Sequence, residues 1–374
     1  MRWLAIILLW SVGCRAPFDP PEVGLSQSIV VDGLITDELK QHVVSVYQSS
    51  PLNDTVPIPF TGADLVLVES GRQIAMFEDE PGHYLTPEFS GRVGVSYQLL
   101  ININGRNYAS ESVTLRPTPP IDSLKTVIGE RGPDGVRGLE ILLNTSSSNQ
   151  ESFFRWEWAE TYEVWSPFPR RFEWSGTELV EFDPIEVRTC WQSSKSSSIL
   201  IESTARLTEG RIVDLPIHFV EEGSPQLLER YSIEVKQYAL DVQGFNFWQT
   251  LRELSENQGS IFDVQPGIVE GNISAVDGNR MLLGYFDAAQ VRAQRIFLDR
   301  VMMTQLGLVR NREFATLCAD NLVVIPPPQI TDYFRQFGAT MNLVGFLNGA
   351  GLAGSKECTD CRFQGTDVKP PFWP

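Results

Sequence analysis

Histidine and positive charge are both scarce in this sequence. The 374 residues include three histidines, His42, His83 and His218, and the 30 Lys and Arg residues are outnumbered by 47 Asp and Glu residues. Three scattered histidines favour neither a catalytic triad nor a zinc site, and no G-x-S-x-G nucleophile motif occurs. The net charge of −17 repels nucleic acid. We therefore expect no metal ion, no catalytic residues and no nucleic-acid partner.

Long hydrophobic runs are also missing, apart from a short one at the N-terminus. A helix that spans a bilayer needs about 20 apolar residues, whereas the run that begins at Trp3 ends at Gly13. A positive start, a short apolar stretch and a small residue before a cysteine are typical of a signal peptide. We predict a lipoprotein signal peptide over residues 1–13.

Cys14 follows that run in the position of the lipid-carrying cysteine of bacterial lipoproteins. The positions three and two residues before it hold Ser11 and Val12, where such signals usually have Leu and then Ala or Ser. We predict that Cys14 is diacylated and becomes the mature N-terminus, with the proline-rich residues 14–26 as an extended tether. The alternative is that Cys14 is an ordinary thiol ahead of a signal-peptidase cut.

Five cysteines are an odd number for an exported protein, and lipidation of Cys14 leaves four. The C-x-x-C spacing of Cys358 and Cys361 occurs in zinc and redox sites, but the sequence offers it no second pair, nearby histidine or βαβ context. Structural disulfides are the simpler interpretation, and four cysteines allow three pairings. We expect Cys358 and Cys361 to pair with Cys190 and Cys318, which fastens the C-terminal tail.

The remaining chain has the pattern of short strands joined by tight turns. Its 29 Gly and 24 Pro residues favour turns over long helices. Several alternating segments, one of them directly before the hairpin signal Asn104-Gly105, follow at the spacing of an antiparallel sandwich. Three prolines between positions 117 and 120 interrupt strand formation. We predict a mainly β protein that begins with a β-sandwich over residues 27–117.

A larger β-rich domain is predicted over residues 118–374, where the alternating pattern continues. One clear helix is expected from about residue 246 to 257, with Asn246 as its N-cap and Gly259 at its end. A second, shorter helix is predicted over residues 331–337. The disulfides described above would hold the tail of this domain in place.

The tail contains a glycine-rich run, residues 349–354, that matches the G-x-G-x-x-G pattern of dinucleotide-binding folds. Such a site needs a strand before the glycines, a helix after them and an acidic residue about 20 positions further on. The chain ends at Pro374, which leaves no room for that unit. We therefore expect a flexible glycine loop and no cofactor.

The nine tryptophans divide by their surroundings. Three follow a core pattern, because two alternate within a strand and one lies on the apolar face of the predicted helix. These are Trp156, Trp158 and Trp248. Three others lie in polar, turn-rich segments, which makes them candidates for an exposed ligand surface. These are Trp165, Trp174 and Trp191.

Short motifs in a fixed order give the chain a family resemblance. In the first half these are the Cys14 start, residues 31–36, Gly82-His83-Tyr84, and Tyr97 and Tyr108 around the Asn-Gly hairpin. In the second half they are Phe247-Trp248, Pro266-Gly267, Gly271-Asn272-Ile273, residues 283–286, Cys358-x-x-Cys361 and residues 370–373. Over nearly the whole mature chain, the sequence resembles a Bacteroidota lipoprotein family, domain of unknown function 4249 (DUF4249).

The resemblance implies an outer-membrane lipoprotein that is often encoded beside TonB-dependent receptors and has no established catalytic residues. It also implies a first domain similar to the immunoglobulin-like or transthyretin-like modules attached to such receptors. We expect a non-enzymatic accessory protein, lipid-anchored through Cys14 on the periplasmic or cell-surface face of the outer membrane. It would work with a TonB-dependent receptor in ligand capture or in support of the receptor's outer face. The ligand is left open.

Two alternatives come from other classes of protein. The first is a cell-surface glycan hydrolase, which would need two carboxylates about 5 to 10 Å apart in a cleft. The second is an adhesive or scaffold lipoprotein of the envelope, which predicts a flat surface with no pocket.

Overall fold

The computed structural model describes residues 28–49, 57–147, 152–205, 207, 209–256, 269, 271–278 and 282–374. The signal peptide, the tether and Cys14 lie outside these residues and stay predictions. In the part of the chain that is described, no helix is both long and apolar enough to cross a bilayer.

Ten strands form among the described residues between 29 and 114, in the region of the predicted sandwich. They are β1 (Ile29–Thr36), β2 (Val43–Gln48), β3 (Ile58–Pro59), β4 (Asp64–Glu69), β5 (Arg72–Ala75), β6 (Phe77–Glu80), β7 (His83–Leu85), β8 (Ser96–Ile103), β9 (Arg106–Ser110) and β10 (Val113–Thr114). Asn104 and Gly105 join β8 to β9 with φ angles of 51° and 78°. Both angles are those of a type I′ turn, so the predicted hairpin is confirmed.

Nine strands follow between residues 121 and 240. They are β11 (Ile121–Arg131), β12 (Val136–Ser146), β13 (Phe153–Trp165), β14 (Phe172–Trp174), β15 (Leu179–Glu181), β16 (Thr189–Lys195), β17 (Leu200–Ser203), β18 (Arg211–Glu221) and β19 (Tyr231–Leu240). Short 3₁₀ turns lie at Pro184–Val187 and Pro225–Leu227.

The last third mixes helices with strands. Its elements are α1 (Val242–Glu256), β20 (Ile273–Ala275), β21 (Leu283–Ala289), β22 (Val291–Leu298), α2 (Arg300–Gln305), α3 (Glu313–Asp320), β23 (Val323–Ile325), α4 (Ile330–Phe337), β24 (Met341–Leu347), β25 (Ala350–Ser355) and α5 (Lys356–Thr359). The mainly β prediction is confirmed, and α4 agrees with the predicted second helix. Helix α1 begins earlier than predicted, because the carboxylate of Asp241, and not Asn246, caps it by accepting from Gly244 N–H at 2.7 Å.

Two sheets, which we call the first sheet pair, share one hydrophobic core. One has the order β21-β1-β2-β7-β6 with β3 on β2, and the other has the order β20-β9-β8-β4-β5 with β10 on β8. Alternate residues of β1, Val31 and Ile35, are fully buried with Leu67, Leu99 and Phe286 in this core. The immunoglobulin-like or transthyretin-like assignment stays a prediction.

Strands β20 and β21 come from far beyond the predicted boundary at residue 117. Strand β20 pairs with β9, and β21 pairs in parallel with β1, so that Val30 lies opposite Leu283 and Thr36 opposite Ala289. The turn at Asp277-Gly278 therefore leads between strands of different sheets, although Asp-Gly is a common signal for a hairpin turn. Both sheets of the first pair thus include strands from outside residues 27–117.

A close backbone approach explains the Gly271-Asn272 motif. A Cβ on Gly271 would lie 1.7 Å from the carbonyl oxygen of Gly284. A Cβ on Gly284, whose φ is 95°, would lie 2.0 Å from the carbonyl oxygen of Val31. The buried Asn272 side chain donates to Phe286 C=O at 2.8 Å and accepts from Phe286 N–H at 2.9 Å. The motif therefore fastens the returning segment to β21.

A second sheet pair is built from the middle of the chain. One sheet has the order β11-β12-β18, and the other has the order β16-β13-β19-β22 with β17 on β13. Between them lies a core that includes Trp156, Phe154 and Tyr231. A buried carboxylate, Glu160, joins the two sheets by accepting from Tyr231 O–H at 2.8 Å and contacting His218 Nε2 at 3.0 Å.

A third, smaller sheet carries the C-terminal tail, with the order β15-β14-β24-β25-β23. The glycine run predicted to be a flexible loop is instead the hairpin turn at Gly349 followed by β25. Two of its glycines allow close packing, because a Cβ on Gly351 would lie 3.1 Å from Leu343 Cδ1 and one on Gly354 would lie 2.9 Å from Thr359 Cγ2. The prediction of a flexible loop was wrong because these glycines let neighbouring strands and helices pack closely against β25.

Candidate functional site

A cleft of about 570 Å³ lies where the first sheet pair meets the second. We call it the junction cleft. Its lining includes residues of both sheet pairs, of helix α1 and of the segment 195–200. The side chains on which the following argument depends are Asp32, Lys40, Arg155, Glu157, Glu234, Lys236, Tyr238 and Trp248.

Strand alternation explains why polar side chains face this cleft. On β13, Phe154 and Trp156 are buried in the core of the second sheet pair, so Arg155 and Glu157 lie on the opposite face. On β19 the same alternation buries Val235 and leaves Glu234, Lys236 and Tyr238 on the outer face. Arg155 pairs with Tyr238 across the two strands, and Glu157 pairs with Lys236.

The first sheet pair contributes the opposite wall in the same way. Val31 and Ile35 of β1 are buried in their own core, which leaves Asp32 and Leu34 on the outer face. Leu34 packs against Tyr238, Ala289 and Val291, and this contact joins the two sheet pairs. The cleft is therefore formed by two outward sheet faces that meet.

Arg155 lies at the centre of the contacts in the cleft. Its guanidinium carbon is 4.3 Å from the centroid of the Trp248 ring and 5.3 Å from that of Tyr238, within the range of cation–π attraction. It also forms an ion pair with Glu157, whose other oxygen accepts from Tyr238 O–H at 2.9 Å. Only 14% of the Arg155 side chain is exposed.

Two buried donors in this cleft have no acceptor among the described residues: Arg155 Nε and Trp248 Nε1. Buried polar groups in proteins are nearly always hydrogen-bonded, and an unpaired one carries a cost of about 1–3 kcal/mol. Both donors belong to side chains that line the cleft. A ligand oxygen that reached either donor would supply the acceptor that the described residues do not.

The carboxylates near the cleft have shifted pKa values. Asp32 lines the cleft and is in contact with solvent, yet protein atoms surround it closely, so desolvation raises its pKa. Arg155 opposes this shift and Glu157 adds to it. Burial raises the pKa of Asp287, on the neighbouring strand β21, to about 6.

Two lysines at the edge of the cleft share one carboxylate. Lys40 Nζ and Lys236 Nζ both lie 2.6 Å from oxygens of Glu38. Desolvation opposes ionisation of this carboxyl group, but the hydrogen bonds from Lys236 and Lys40 outweigh it and lower the Glu38 pKa to about 2. These charges therefore fasten the two sheet pairs together beside the cleft.

The three tryptophans predicted to form a ligand surface lie in different places. Trp165 lines a second cleft, of about 630 Å³. Trp174 packs in the core of the third sheet, with its ring centroid 6.4 Å from that of Phe334. Trp191 is half-buried and its backbone forms a bridge to Thr366 of the tail. The structure therefore does not gather the three into one surface.

The tryptophans predicted to be core residues also differ from one another. Trp156 is buried and Trp158 packs against the same core, with its ring centroid 3.8 Å from that of His218. Trp248 is half-buried and covers Arg155 in the junction cleft. Its helical periodicity indicated the inward face of α1, but no sequence signal showed that the neighbour there is an arginine.

The cysteines form two disulfides, Cys190–Cys361 and Cys318–Cys358. This agrees with the expectation that both tail cysteines reach back, and it selects one of the three pairings. In the described part of the chain, no group of three or more His, Cys, Asp or Glu side chains is placed to hold a metal ion.

Sequence reasoning missed the residues of the junction cleft. Asp32 belongs to a motif used above only for family resemblance, and Arg155 and Glu157 occupy the polar positions of a strand whose alternation indicates only that one side is buried. One available signal was the alternation of charged residues with tryptophans along β13. The polar face of a strand with that composition can face solvent, or it can be covered by another part of the protein, as it is here.

Comparison with known proteins gives one family. A family model described as "Domain of unknown function (DUF4249)" matches residues 15–295, which is more than half of the chain. The matched range contains every lining residue of the junction cleft. No curated protein shows significant similarity to this chain.

Proposed function

The chain belongs to the DUF4249 family, and on that premise we propose that it is a non-enzymatic protein that captures a ligand in the junction cleft. We further propose that it is lipid-anchored in the outer membrane through Cys14 and delivers the ligand to a TonB-dependent receptor. The observation that carries the proposal is the pair of buried, unpartnered donors, Arg155 Nε and Trp248 Nε1, in one preformed cleft.

The lining indicates the chemistry of the ligand. The aromatic rings of Trp248 and Tyr238 offer apolar contact, and the orphan donors require acceptor oxygens. The charged side chains that line the cleft are nearly balanced, with Asp32, Glu157 and Glu234 against Lys40, Arg155, Lys195 and Lys236. A neutral, oxygen-rich ligand such as an oligosaccharide or a short peptide fits this lining better than a strong anion or cation.

Ligand binding at the cleft is tested by tryptophan fluorescence, because Trp248 lies in its wall. Titration of the protein with a panel of neutral oligosaccharides and short peptides is expected to give a saturable change with at least one of them. Trp248→Phe, which lacks the indole donor, should bind that compound at least tenfold more weakly. Trp174→Phe, in the core of the third sheet, is the control. No saturation with any compound, or equal affinity of the Trp248 variant, would contradict the proposal.

The accessory role is tested by recovery of partners from membranes. A tag is attached after Pro374 through a flexible linker, because Trp373 is buried and donates to Glu163 Oε1 at 2.9 Å. Gentle solubilisation, pull-down and mass spectrometry should recover a TonB-dependent receptor together with a mature N-terminus at diacylated Cys14. Recovery without a receptor, or with an unlipidated N-terminus, would contradict the receptor role or the anchor respectively.

A glycan hydrolase is the second candidate, and one observation favours it. Desolvation raises the pKa of Asp32 in a cleft that also holds Glu157, and glycosidases use two carboxyl groups in one cleft, one of them with a raised pKa. Release of reducing sugar from the same oligosaccharides, abolished by Asp32→Asn and by Glu157→Gln, would establish this reading. Binding without any release would support capture.

A further inference from the structure

A second cleft, lined on one side by the ends of β13 and β16 and on the other by α2 and α3, lies away from the junction cleft. It has a volume of about 630 Å³, and its lining includes Trp165, Arg188, Arg300, Arg310 and Arg312. We propose that this arginine cleft binds an acidic saccharide, a sugar that carries carboxylate or sulfate groups. The proposal concerns a different site from the proposed capture function.

The charge of the arginine cleft is opposite to that of the whole protein. Four arginines line it against two glutamates, Glu163 and Glu229, whereas the chain as a whole carries a net charge of −17. Glu229 is already engaged, with Arg310 Nη2 at 2.6 Å and Arg300 Nη1 at 3.4 Å. A local concentration of arginine in an acidic protein creates an attractive site for anions.

Two of the four arginines are available to a ligand. Arg188 and Arg312 are both exposed, and neither makes an ion pair or a side-chain hydrogen bond with the rest of the described chain. Each guanidinium can present two parallel N–H donors to a carboxylate or a sulfate. The cleft can therefore hold two anionic groups at once.

A third arginine has an unpaired atom inside the protein. Arg310 has 19% of its side chain exposed, and its Nε is buried without an acceptor among the described residues. Helix α3, which begins at Glu313, adds the positive end of its dipole, because Phe314 and Ala315 of its first turn line the cleft. Glu313 itself is in contact with Asn311, whose Oδ1 accepts from Glu313 N–H at 2.7 Å.

The other residues that line the arginine cleft favour a ligand in which the anionic group is attached to a sugar. Trp165, Leu228 and Phe314 give the cleft apolar surface that a free inorganic ion would not use, and an indole face packs against the C–H face of a sugar ring. Thr189 and Asn311 add groups that can bond to hydroxyls.

Both disulfides hold the walls of this cleft. Cys190 directly follows Thr189 in β16, and Cys318 lies on α3. Their partners, Cys361 and Cys358, belong to one short segment of the tail, so the two walls are linked covalently through four residues. A wall fixed in advance loses less entropy when a ligand binds.

The test is calorimetric titration of the full soluble chain with three probes: a galacturonate tetrasaccharide, a chondroitin sulfate tetrasaccharide and neutral maltotetraose. We expect at least one acidic probe to bind and maltotetraose to bind at least tenfold more weakly. The double variant Arg188→Gln/Arg312→Gln should weaken acidic binding at least tenfold. Arg106→Gln, an exposed arginine of β9, is the matched control and should leave it unchanged.

Each outcome decides the proposal. Binding of only the carboxylated or only the sulfated probe supports it and identifies the anion. No binding of either acidic probe, equal binding of maltotetraose, or equal affinity of the double variant overturns it. Because both exchanged arginines are exposed, the double variant should keep the wild-type melting temperature, which verifies that a lost affinity is not lost folding.

Discussion

The exchange Asn272→Ala tests whether the returning segment is an integral part of the first sheet pair. The Asn272 side chain is buried, and its two hydrogen bonds satisfy both backbone groups of Phe286, which has no exposed surface. Alanine at this position leaves that N–H and that C=O without partners. At about 1–3 kcal/mol for each of the two buried unsatisfied groups, the expected loss is about 2–6 kcal/mol.

The loss should concentrate in the first sheet pair, because the Asn272 side chain bonds to Phe286 of β21 and its C=O accepts from Glu111 N–H, between β9 and β10. No tryptophan lies in β1–β10, β20 or β21, so tryptophan fluorescence follows the rest of the protein. Hydrogen exchange read by mass spectrometry on peptides from β1 and β21 follows the first pair directly. A loss of 2 kcal/mol corresponds to about 30-fold faster exchange of their protected amides.

Asn107→Ala provides the matched control for this experiment. Asn107 lies on β9 of the same sheet pair, but it is exposed, and its side chain accepts from the half-buried Asn102 side chain at 2.8 Å. Its loss should cost less than about 0.5 kcal/mol. If Asn272→Ala changed exchange in β1 and β21 no more than Asn107→Ala does, the returning segment would not be fastened as described.

Three further exchanges test other parts of the structure. Because burial raises the pKa of Asp287 to about 6, the folded state binds more protons than the unfolded state between about pH 4 and 6. The free energy of unfolding therefore falls as the pH rises through this range, and the stabilisation present at low pH is lost once the pH passes 6. Asp287→Asn should therefore be more stable than wild type at pH 7 by up to about 3 kcal/mol, with the difference vanishing near pH 4 in urea titrations. The double exchange Cys318→Ala/Cys358→Ala opens a loop of sequence separation 40 and should lower stability by about 3–4 kcal/mol in thermal melts, whereas an unchanged melting temperature would contradict a stabilising disulfide. A double-mutant cycle of Arg155→Ala and Trp248→Ala should give a coupling energy of about 0.5–2 kcal/mol. Additive effects of the two exchanges would show that the contact between the Arg155 guanidinium and the Trp248 ring contributes nothing to stability.

Local features of the fold were predictable because their causes are local. Asn104 and Gly105 tolerate positive φ, so a hairpin follows from two residues alone. The apolar face that predicted α1 is likewise read within about three turns of helix. The disulfides were foreseeable in part, because the parity of the cysteines and the export signal point to pairing without choosing partners.

The arrangement that builds the junction cleft was not predictable, because its causes are distant in sequence. Parallel pairing of β1 with β21 needs a long connection, and no turn residue announces it. Without that pairing, Asp32 has no reason to face Arg155, and a strand such as β13 looks solvent-exposed on one side. Trp248 shows the same difficulty, since an amphipathic helix identifies its inward face but not the residue that the face will meet.

The family match covers the linings of the two clefts to different extents. The family match includes the whole lining of the junction cleft, but it ends at residue 295, before Arg300, Arg310 and Arg312. Arg155 and Trp165 are ten residues apart on β13, which is about 33 Å along an extended strand. The linings of the two clefts share no residue. The junction cleft therefore lies wholly within the matched part of the chain, whereas the arginine cleft takes one of its walls from α2 and α3, beyond the match, and the two disulfides hold both of its walls.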